Sequence, residues 1–270
     1  MGYVARIYPS VLNKFQDYLD ADLKVEEDWN ITPEGDYRIT ADEMHDKLLR
    51  ELIDTINRVE REPSEAADAG TCLNEVIDRM LLNSATGRED VDIRTSRTFI
   101  TNKGEELEIP CIVAKMDDFT FQLDIALCRK LAAILKGCIP QYRCSATMET
   151  SRGTVELYGD VDYIGDGHVI DLKSTSMYNV GKYERNWQKE LYTYCLLHSG
   201  DMTRVKDFTF LVAKWVKRVG SPWSAELFEE TYTLRPERVE ADLRDIVERF
   251  LEFLDINRVK ITNKKIFGIE

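Results

Sequence analysis

The sequence predicts an α/β protein in which a mixed central β-sheet is flanked by helices. Some segments repeat apolar residues at helical spacing, and others alternate apolar with polar residues, so both helices and strands are expected. No Pro-, Gly- or Ser-rich linker divides the 270 residues, which indicates one domain with one large core. We expect residues 1–62 to form a helical N-terminal extension, 63–216 the core, and 217–270 a C-terminal strand and helix.

The composition limits the classes of function. No apolar run reaches the roughly 18 residues that a membrane span requires, and no signal-peptide pattern opens the chain, so we expect a cytoplasmic protein without a membrane partner. The six cysteines lack C-x-x-C spacing, which favours buried thiols over a zinc or iron–sulfur site. The formal net charge of -13 disfavours general affinity for nucleic acid. Basic residues are concentrated in 204–218 and 258–265, so a basic groove and ordinary solvated surface both stay open as interpretations.

Two helices are expected before residue 83. The first, 40–61, begins with a capping box in which Glu43 follows Thr40 by three positions. The second, 64–82, contains Gly70, which costs about 1 kcal/mol relative to Ala inside a helix. A close approach of another segment would explain this glycine.

The middle of the chain predicts a hairpin and a meander. Segments 93–101 and 106–115 flank an Asn102-Lys103-Gly104 turn and form the hairpin, and a short helix is expected over 124–135. Tight turns separate three further alternating segments, which predict an antiparallel meander. These three strands are 141–150, 154–164 and 168–174.

The last third predicts two helices and two strands. Residues 184–198 form a helix that Gly200 ends, and 208–216 and 229–234 are rich in strand-forming residues. Pro236 begins the last helix, which continues to about Asn257.

Polar side chains interrupt the last two strands of the meander. Asp162 is expected to point away from Val161 and Tyr163, because side chains alternate along a strand. Asp171 and Lys173 share one face of the next strand by the same rule. The tight turn between the strands can therefore bring Asp162 beside Asp171, with Lys173 next to both.

A cluster of this kind favours a bound cation. Two carboxylates beside one lysine are costly to hold together unless a cation lies among them. Mg²⁺ or Mn²⁺ satisfies Asp162 and Asp171 and can take the Leu172 carbonyl as a backbone ligand. Lys173 would then orient the attacking water and stabilise charge on a phosphate. The alternative is a hairpin with surface acids and a surface lysine.

Four short motifs resemble those of one enzyme superfamily. VELYGDVD, residues 155–162, followed by VIDLKST, residues 169–175, is similar to the core motif of PD-(D/E)XK nucleases, and most similar to their RecB-type and phage-exonuclease-like branches. These branches carry a later Q-x-x-x-Y helix, which Gln188-Lys189-Glu190-Leu191-Tyr192 matches. They also carry an earlier G-x-x-x-H helix, which Gly70-Thr71-Cys72-Leu73-Asn74 matches except at its last position. The motifs occur in the family's order, across about residues 65–215.

The resemblance implies a fold and an activity. Residues 63–216 would form a restriction-endonuclease-like nuclease core that hydrolyses DNA phosphodiesters with Mg²⁺ or Mn²⁺. The most similar branches imply an exonuclease of phage or prophage recombination and repair, acting beside a single-strand annealing protein or as a ring of its own copies. Two alternatives stay open: a weakened nuclease fold that binds DNA ends as a scaffold subunit, and a restriction-type endonuclease.

The resemblance also implies roles for individual residues. Asp162, Asp171, Lys173 and Gln188 would be catalytic, with Gln188 contacting the metal-bound water or the scissile phosphate. The metal ligands would be Asp162, Asp171 and the Leu172 carbonyl, completed from the upstream helix.

Three residues of the upstream helix are candidates for the remaining ligand. Asn74 stands where the family often has His, and Glu75 is the next residue. Asp78 lies one helical turn further on. Asn74 holds the position that the family pattern gives to its ligand, so it is the first choice.

Four residues are predicted to contact nucleic acid. Lys182 and Tyr183 precede the glutamine helix, whose N-terminus would favour a phosphate. Tyr192 would lie near the nucleic-acid backbone, and Ser174 follows the catalytic lysine. The alternatives are a plain loop for Lys182 and Tyr183 and a core aromatic for Tyr192.

Overall fold

The chain is an α/β protein with a mixed, multi-stranded sheet flanked by helices. The computed structural model describes residues 4–27, 30–33, 36–60, 62–86, 88–102, 105–200 and 204–268. The strands are β1 (Ala5–Ile7), β2 (Asp92–Asn102), β3 (Glu105–Met116), β4 (Phe119–Asp124), β5 (Ile139–Thr150), β6 (Gly153–Gly165), β7 (His168–Thr175), β8 (Asp207–Val216) and β9 (Ser224–Tyr232). The helices are α1 (Pro9–Leu19), α2 (Ala21–Val25), α3 (Ala41–Asn57), α4 (Glu65–Leu82), α5 (Ile125–Ile134), α6 (Gln188–His198) and α7 (Pro236–Ile256).

The central sheet divides at β6. Its order is β1-β6-β7-β8-β9, and β5 pairs antiparallel with nearly the whole length of β6. On the other edge of β6, β1 pairs with residues 155–157 and β7 with residues 163–165. Residues 158–162 therefore lie between β1 and β7, where the sheet opens.

Both faces of the central sheet are covered. Along β8, Phe208, Phe210 and Val212 pack in a first core with α1, α3, α6 and α7. Leu211 and Ala213, which alternate with them, pack in a second core with α4, α5 and the three-stranded sheet β2-β3-β4. Burial on both faces is usual where parallel pairs lie inside a sheet, as β7 and β8 do.

Most local predictions are confirmed. α3 begins with the capping box, since the Thr40 side chain accepts from the Glu43 N–H and the Glu43 side chain accepts from the Thr40 N–H. The hairpin β2–β3 and the meander β5–β6–β7 are antiparallel as expected. Of the predicted hairpin turn, Lys103 and Gly104 lie outside the described residues. The six cysteines are free, and all except the half-buried Cys138 are buried.

The structure corrects three of the expected elements. The N-terminal segment is not purely helical: it contributes β1 to the central sheet, and a strand of three residues is too short to show alternation. α6 begins at Gln188 rather than at Glu184, because residues 181–186 form turns. β9 covers 224–232 rather than 229–234, since it pairs with β8 along its length. Within the described residues, no helix combines the length and apolar content that crossing a bilayer requires.

Candidate active site

The candidate site lies where β6 and β7 separate. Their described pairing ends at Tyr163 opposite Ile170, immediately before Asp162 and Asp171. Asp162 Oδ2 instead accepts a hydrogen bond from the backbone N–H of Leu172 at 3.0 Å. The two aspartates therefore lie on neighbouring strands at the opening of the sheet, as the tight turn predicts.

The strict alternation expected around Asp162 is wrong. Val161 packs in the first core but Tyr163 packs in the second, so the two side chains do not share a face. β5 is distorted at the same level, where Gln141 has a φ of 51° and Tyr142 pairs with Val161. This distortion presents Asp162 to a cavity beside α4.

Asp171, Lys173 and Gln188 form a closed network. Gln188 Nε2 donates to Asp171 Oδ1 at 2.5 Å, and its Oε1 accepts from Lys173 Nζ at 2.5 Å. Lys173 Nζ also lies 2.7 Å from Asp171 Oδ2, and Asp171 is only 1% exposed. Surface acids beside a surface lysine, the alternative left open by the sequence, do not describe this buried cluster.

The carboxylates of the site disfavour one another's charge. Burial raises the pKa of Asp162 well above its ordinary value of 3.8, and the Asp171 carboxylate raises it further. The Lys173 ammonium and the Leu172 N–H oppose this shift, while Asp78 adds to it. A divalent cation placed among these groups would lower the pKa values of the carboxyls, because it stabilises the ionised form of each one.

The donor set fits a hard divalent cation. Asp171 Oδ2 is buried and pairs with Lys173 Nζ at 2.7 Å, whereas Asp78 Oδ1 is buried and has no hydrogen bond of ordinary geometry. Among the described residues, no group of three or more His, Cys, Asp or Glu side chains has the arrangement of a metal site. An ion here would therefore take two carboxylates and complete its coordination with a backbone carbonyl, water and substrate oxygens, as Mg²⁺ commonly does.

α4 crosses β7 at Gly70. A Cβ atom at this position would lie 2.8 Å from Ser174 Oγ, so the glycine allows the close approach that the sequence predicts. Beyond this crossing, the helix lines a cavity of about 470 Å³ that also contains Asp162 and Gln141. The three candidate ligands Asn74, Glu75 and Asp78 all line this cavity.

The three α4 candidates differ in their contacts. Glu75 is already engaged, because its Oε1 accepts from Arg79 Nε at 2.6 Å and from the Thr86 hydroxyl. Asn74 is half-buried at the cavity wall.

Asp78 differs from both, because one of its oxygens is unused. It is 2% exposed, and burial raises its pKa to about 6. Its Oδ2 accepts from Gln141 Nε2 at 3.0 Å, and its Oδ1 has no hydrogen bond of ordinary geometry, although the Tyr163 hydroxyl beside the carboxyl opposes the rise in its pKa. The geometry therefore favours Asp78 over Asn74 and Glu75, and its position two helical turns after Gly70 is the sequence signal that points to it.

The structure places the predicted nucleic-acid contacts differently. Lys182 Nζ donates to Thr175 Oγ1 at 2.8 Å and to the Met177 carbonyl at 2.7 Å. The Tyr183 ring packs on Phe210, with 5.2 Å between ring centroids. The helix begins five residues after Tyr183, so the two residues lie in the turns before α6, and their contact with nucleic acid stays a prediction.

Tyr192 and Ser174 have packing roles. Tyr192 is 5% exposed, and a Cβ atom at Gly159 would lie 2.5 Å from its Cε1 atom, so the ring fills the space that this glycine leaves. The core alternative is thus favoured for Tyr192. Ser174 is half-buried at the Gly70 crossing.

The residues that fix the start of α6 are not among the site residues that the sequence predicts. Asn186 Oδ1 accepts from the Gln188 N–H at 2.9 Å and from Asn13 Nδ2 at 3.1 Å. The preceding loop is held by the buried Glu230, which accepts from the Tyr178 hydroxyl at 2.7 Å. An asparagine two residues before a helix is a recognisable capping signal for Asn186, whereas the contributions of Asn13 and Glu230 depend on the tertiary fold.

Comparison with known proteins gives little further information. No protein-family model matches the chain, and no curated protein matches it. A solved structure described as "Crystal structure of SSO0001" is 14% identical over 44% of this chain, with a TM-score of 0.30. The match covers 55% of that chain, and a likeness at this level supports no argument about fold or function.

Proposed function

We propose that the chain is a metal-dependent deoxyribonuclease of the PD-(D/E)XK type, with residues 63–216 as a restriction-endonuclease-like core. The observation that carries the proposal is the buried network of Asp171, Lys173 and Gln188 beside Asp162, at the point where the sheet opens. The order of these residues along the chain is the order that the resemblance requires.

The residues that would hold Mg²⁺ or Mn²⁺ are Asp162 and the Leu172 carbonyl with one further carboxylate, which is Asp171 or, from α4, Asp78. Asp78 Oδ1, which has no hydrogen bond of ordinary geometry, supports Asp78 as the α4 candidate. When bound, the cation supplies positive charge that polarises a phosphate and lowers the pKa of water.

The protein's own side chains supply positioning and charge. Lys173 presents its ammonium beside Asp171, where it can donate to the attacking water and stabilise negative charge on the phosphate. Gln188 bridges Lys173 and Asp171 and so fixes both in one arrangement. Asn186 in turn fixes Gln188 through its backbone N–H.

A cleavage assay tests the proposal. End-labelled linear DNA is incubated with the purified protein and Mg²⁺, Mn²⁺ or EDTA, and Asp171→Asn is compared with wild type. We expect cleavage only with a divalent metal. The cleavage rate of Asp171→Asn should be more than about 100-fold lower than that of wild type. Asp166→Asn is the matched control, because Asp166 lies in the β6–β7 turn with a 94% exposed side chain. Cleavage in EDTA, or equal rates for Asp171→Asn and wild type, would overturn the assignment.

The subtype is decided by the form of the DNA. The resemblance favours an exonuclease, which requires an end and leaves a covalently closed circle intact. Cutting of the circle would indicate a restriction-type endonuclease, and binding of ends without cleavage would indicate a scaffold subunit. A single-strand annealing partner, a homo-oligomer and a cytoplasmic location depend on the sequence alone and stay predictions.

A further inference from the structure

A second cavity, of about 300 Å³, lies beside the N-terminal half of β6. Four basic side chains line it, Arg6, Arg58, Arg143 and Lys265, together with Tyr158. We call this cavity the arginine pocket. Its residues come from β1, the end of α3, β5, β6 and the C-terminal basic segment, so the tertiary fold assembles them.

Tyr158 organises the cations of the arginine pocket. The guanidinium carbons of Arg143 and Arg6 lie 4.7 Å and 5.4 Å from the centre of its ring. Arg58 Nη2 donates to its hydroxyl at 3.1 Å. A nucleobase would have to displace these guanidinium groups to stack on the ring, so the pocket favours an anion over an aromatic ligand.

The arginine pocket carries more positive than negative charge. Arg6 pairs with Glu156 at 2.5 Å, and Arg143 pairs with Asp160 at 2.9 Å. Within the part of the chain that the structure describes, Arg58 and Lys265 form no ion pair. Guanidinium groups match the geometry of phosphate oxygens, and uncompensated like charges in one cavity favour an anionic ligand.

β6 connects the arginine pocket to the candidate active site. Val155, Leu157 and Val161 pack in the first core, so Tyr158 points to the opposite face of the strand. Asp162 follows Tyr158 by four residues, which corresponds to about 13 Å along a strand. The intervening residues lie in the opening between β1 and β7, and a nucleic-acid strand passing along it would place phosphates at both ends.

We propose that the arginine pocket binds a backbone phosphate of the nucleic-acid strand, a few nucleotides from the phosphate held at Asp162 and Asp171. The choice of a nucleic-acid strand as the ligand rests on the proposed function. It adds a binding site that shares no residue with the proposed metal and catalytic groups.

The test measures binding in EDTA, so that it does not depend on cleavage. Fluorescence anisotropy of a labelled single-stranded oligonucleotide is followed against salt concentration for wild type, Arg58→Asn and Lys265→Gln. Asparagine is chosen at Arg58 because that residue has a φ of 54°, a conformation that asparagine tolerates. Lys130→Gln, an exposed position on α5, is the matched loss of charge. Thermal unfolding of each variant confirms that it is folded, and Arg58→Lys serves as the conservative replacement.

We expect Arg58→Asn and Lys265→Gln each to weaken binding and to reduce the slope of log K against log salt by about 0.7, the value for one lost phosphate contact on a single strand. Lys130→Gln should leave the slope unchanged, and Arg58→Lys should restore most of it. If the slope of log K against log salt is the same for wild type and both pocket variants, the arginine pocket does not bind a phosphate of the strand. The nuclease proposal would be unaffected by that result.

Competition with inorganic phosphate and pyrophosphate separates a nucleic-acid strand from a free anion. A strand ligand predicts weak competition by either small anion. Tight binding of pyrophosphate that Arg58→Asn abolishes, with oligonucleotide binding unchanged, would overturn the strand as the ligand. The pocket variants could reduce the slope of log K against log salt while the protein shows no DNA cleavage under any condition. That result would contradict the proposed function and support nucleic-acid binding at the arginine pocket.

Discussion

Replacing Asp78 with Asn should change how the stability of the metal-free protein depends on pH. Burial raises the pKa of Asp78 to about 6 in the folded protein, against an ordinary value of 3.8. The folded state therefore binds more protons than the unfolded state between these values, and stability must fall as the pH rises through this window. At 1.36 kcal/mol per pKa unit, the gap of roughly 2.2 units corresponds to about 3 kcal/mol.

Asp78→Asn removes this contribution because an amide does not titrate over that range. The introduced amide can still accept from Gln141 Nε2, but its NH₂ group would occupy a buried position and cost about 1–3 kcal/mol if it finds no acceptor. The absolute stability is therefore a weaker readout than its pH dependence. Between about pH 4 and pH 6 the variant should gain up to about 3 kcal/mol relative to wild type.

Urea unfolding in EDTA at several pH values measures this difference. Asp166→Asn is the control. The hydrogen bond from Lys206 lowers the pKa of the Asp166 carboxyl, so any effect of Asp166 on the pH dependence of stability lies below the range from pH 4 to pH 6. The reasoning is refuted if wild type and Asp78→Asn lose stability in parallel from pH 4 to pH 6. Adding Mn²⁺ at pH 7.5 extends the test, since a ligand at Asp78 predicts a larger metal-induced gain for wild type than for the variant.

Four further predictions concern neighbouring residues. Gly70→Ala should destabilise the protein despite the better helix propensity of Ala, because its Cβ would lie 2.8 Å from Ser174 Oγ; adding Ser174→Ala should recover stability in thermal unfolding. Lys173→Ala should lower turnover by about 10²–10³-fold while leaving Mn²⁺ affinity nearly unchanged by calorimetry, and a lost Mn²⁺ isotherm would show that the lysine is structural. Glu75→Gln should not change the Mn²⁺ concentration for half-maximal activity, because Arg79 and Thr86 already engage that carboxylate. Asn74→His should lower that concentration if Asn74 is a ligand, since imidazole is the better donor for Mn²⁺.

Local signals predicted the elements whose causes lie within a few residues. The Thr40 and Glu43 capping box marks the start of α3, and Pro236 marks the start of α7. The glycine at position 70 indicated a close crossing before any partner was known, and Ser174 proved to be that partner. Capping, turn chemistry and side-chain alternation depend on sequence neighbours, so they can be inferred without the tertiary fold.

The site could be predicted only in part because its shape depends on distant strands. The tight turn is sufficient to place Asp162 near Asp171, but Tyr163 changes face beside the distortion of β5 at Gln141, and the opening at Asp162 follows from the division of β6 between β1 and β7. β1 has three residues and no periodic signal, so this division was not visible in the sequence. The burial of Tyr192 depends on the space that Gly159 leaves because it lacks a Cβ atom, and only the tertiary fold brings α6 to that point of β6.

Stability and the proposed chemistry make opposite demands on this site. Burial raises the pKa values of both Asp162 and Asp78, and the Asp78 carboxylate also raises the cost of ionising Asp162. Neutral side chains at these two positions would stabilise the fold more, because the neighbouring Lys173 and Arg88 offset only part of the cost of burying the two carboxyls. A divalent cation removes the conflict, since it converts mutual repulsion among the carboxylates into shared coordination. The cost is therefore understandable if the ionised cluster is needed with a cation present, which is why Mn²⁺ should stabilise wild type more than it stabilises Asp78→Asn.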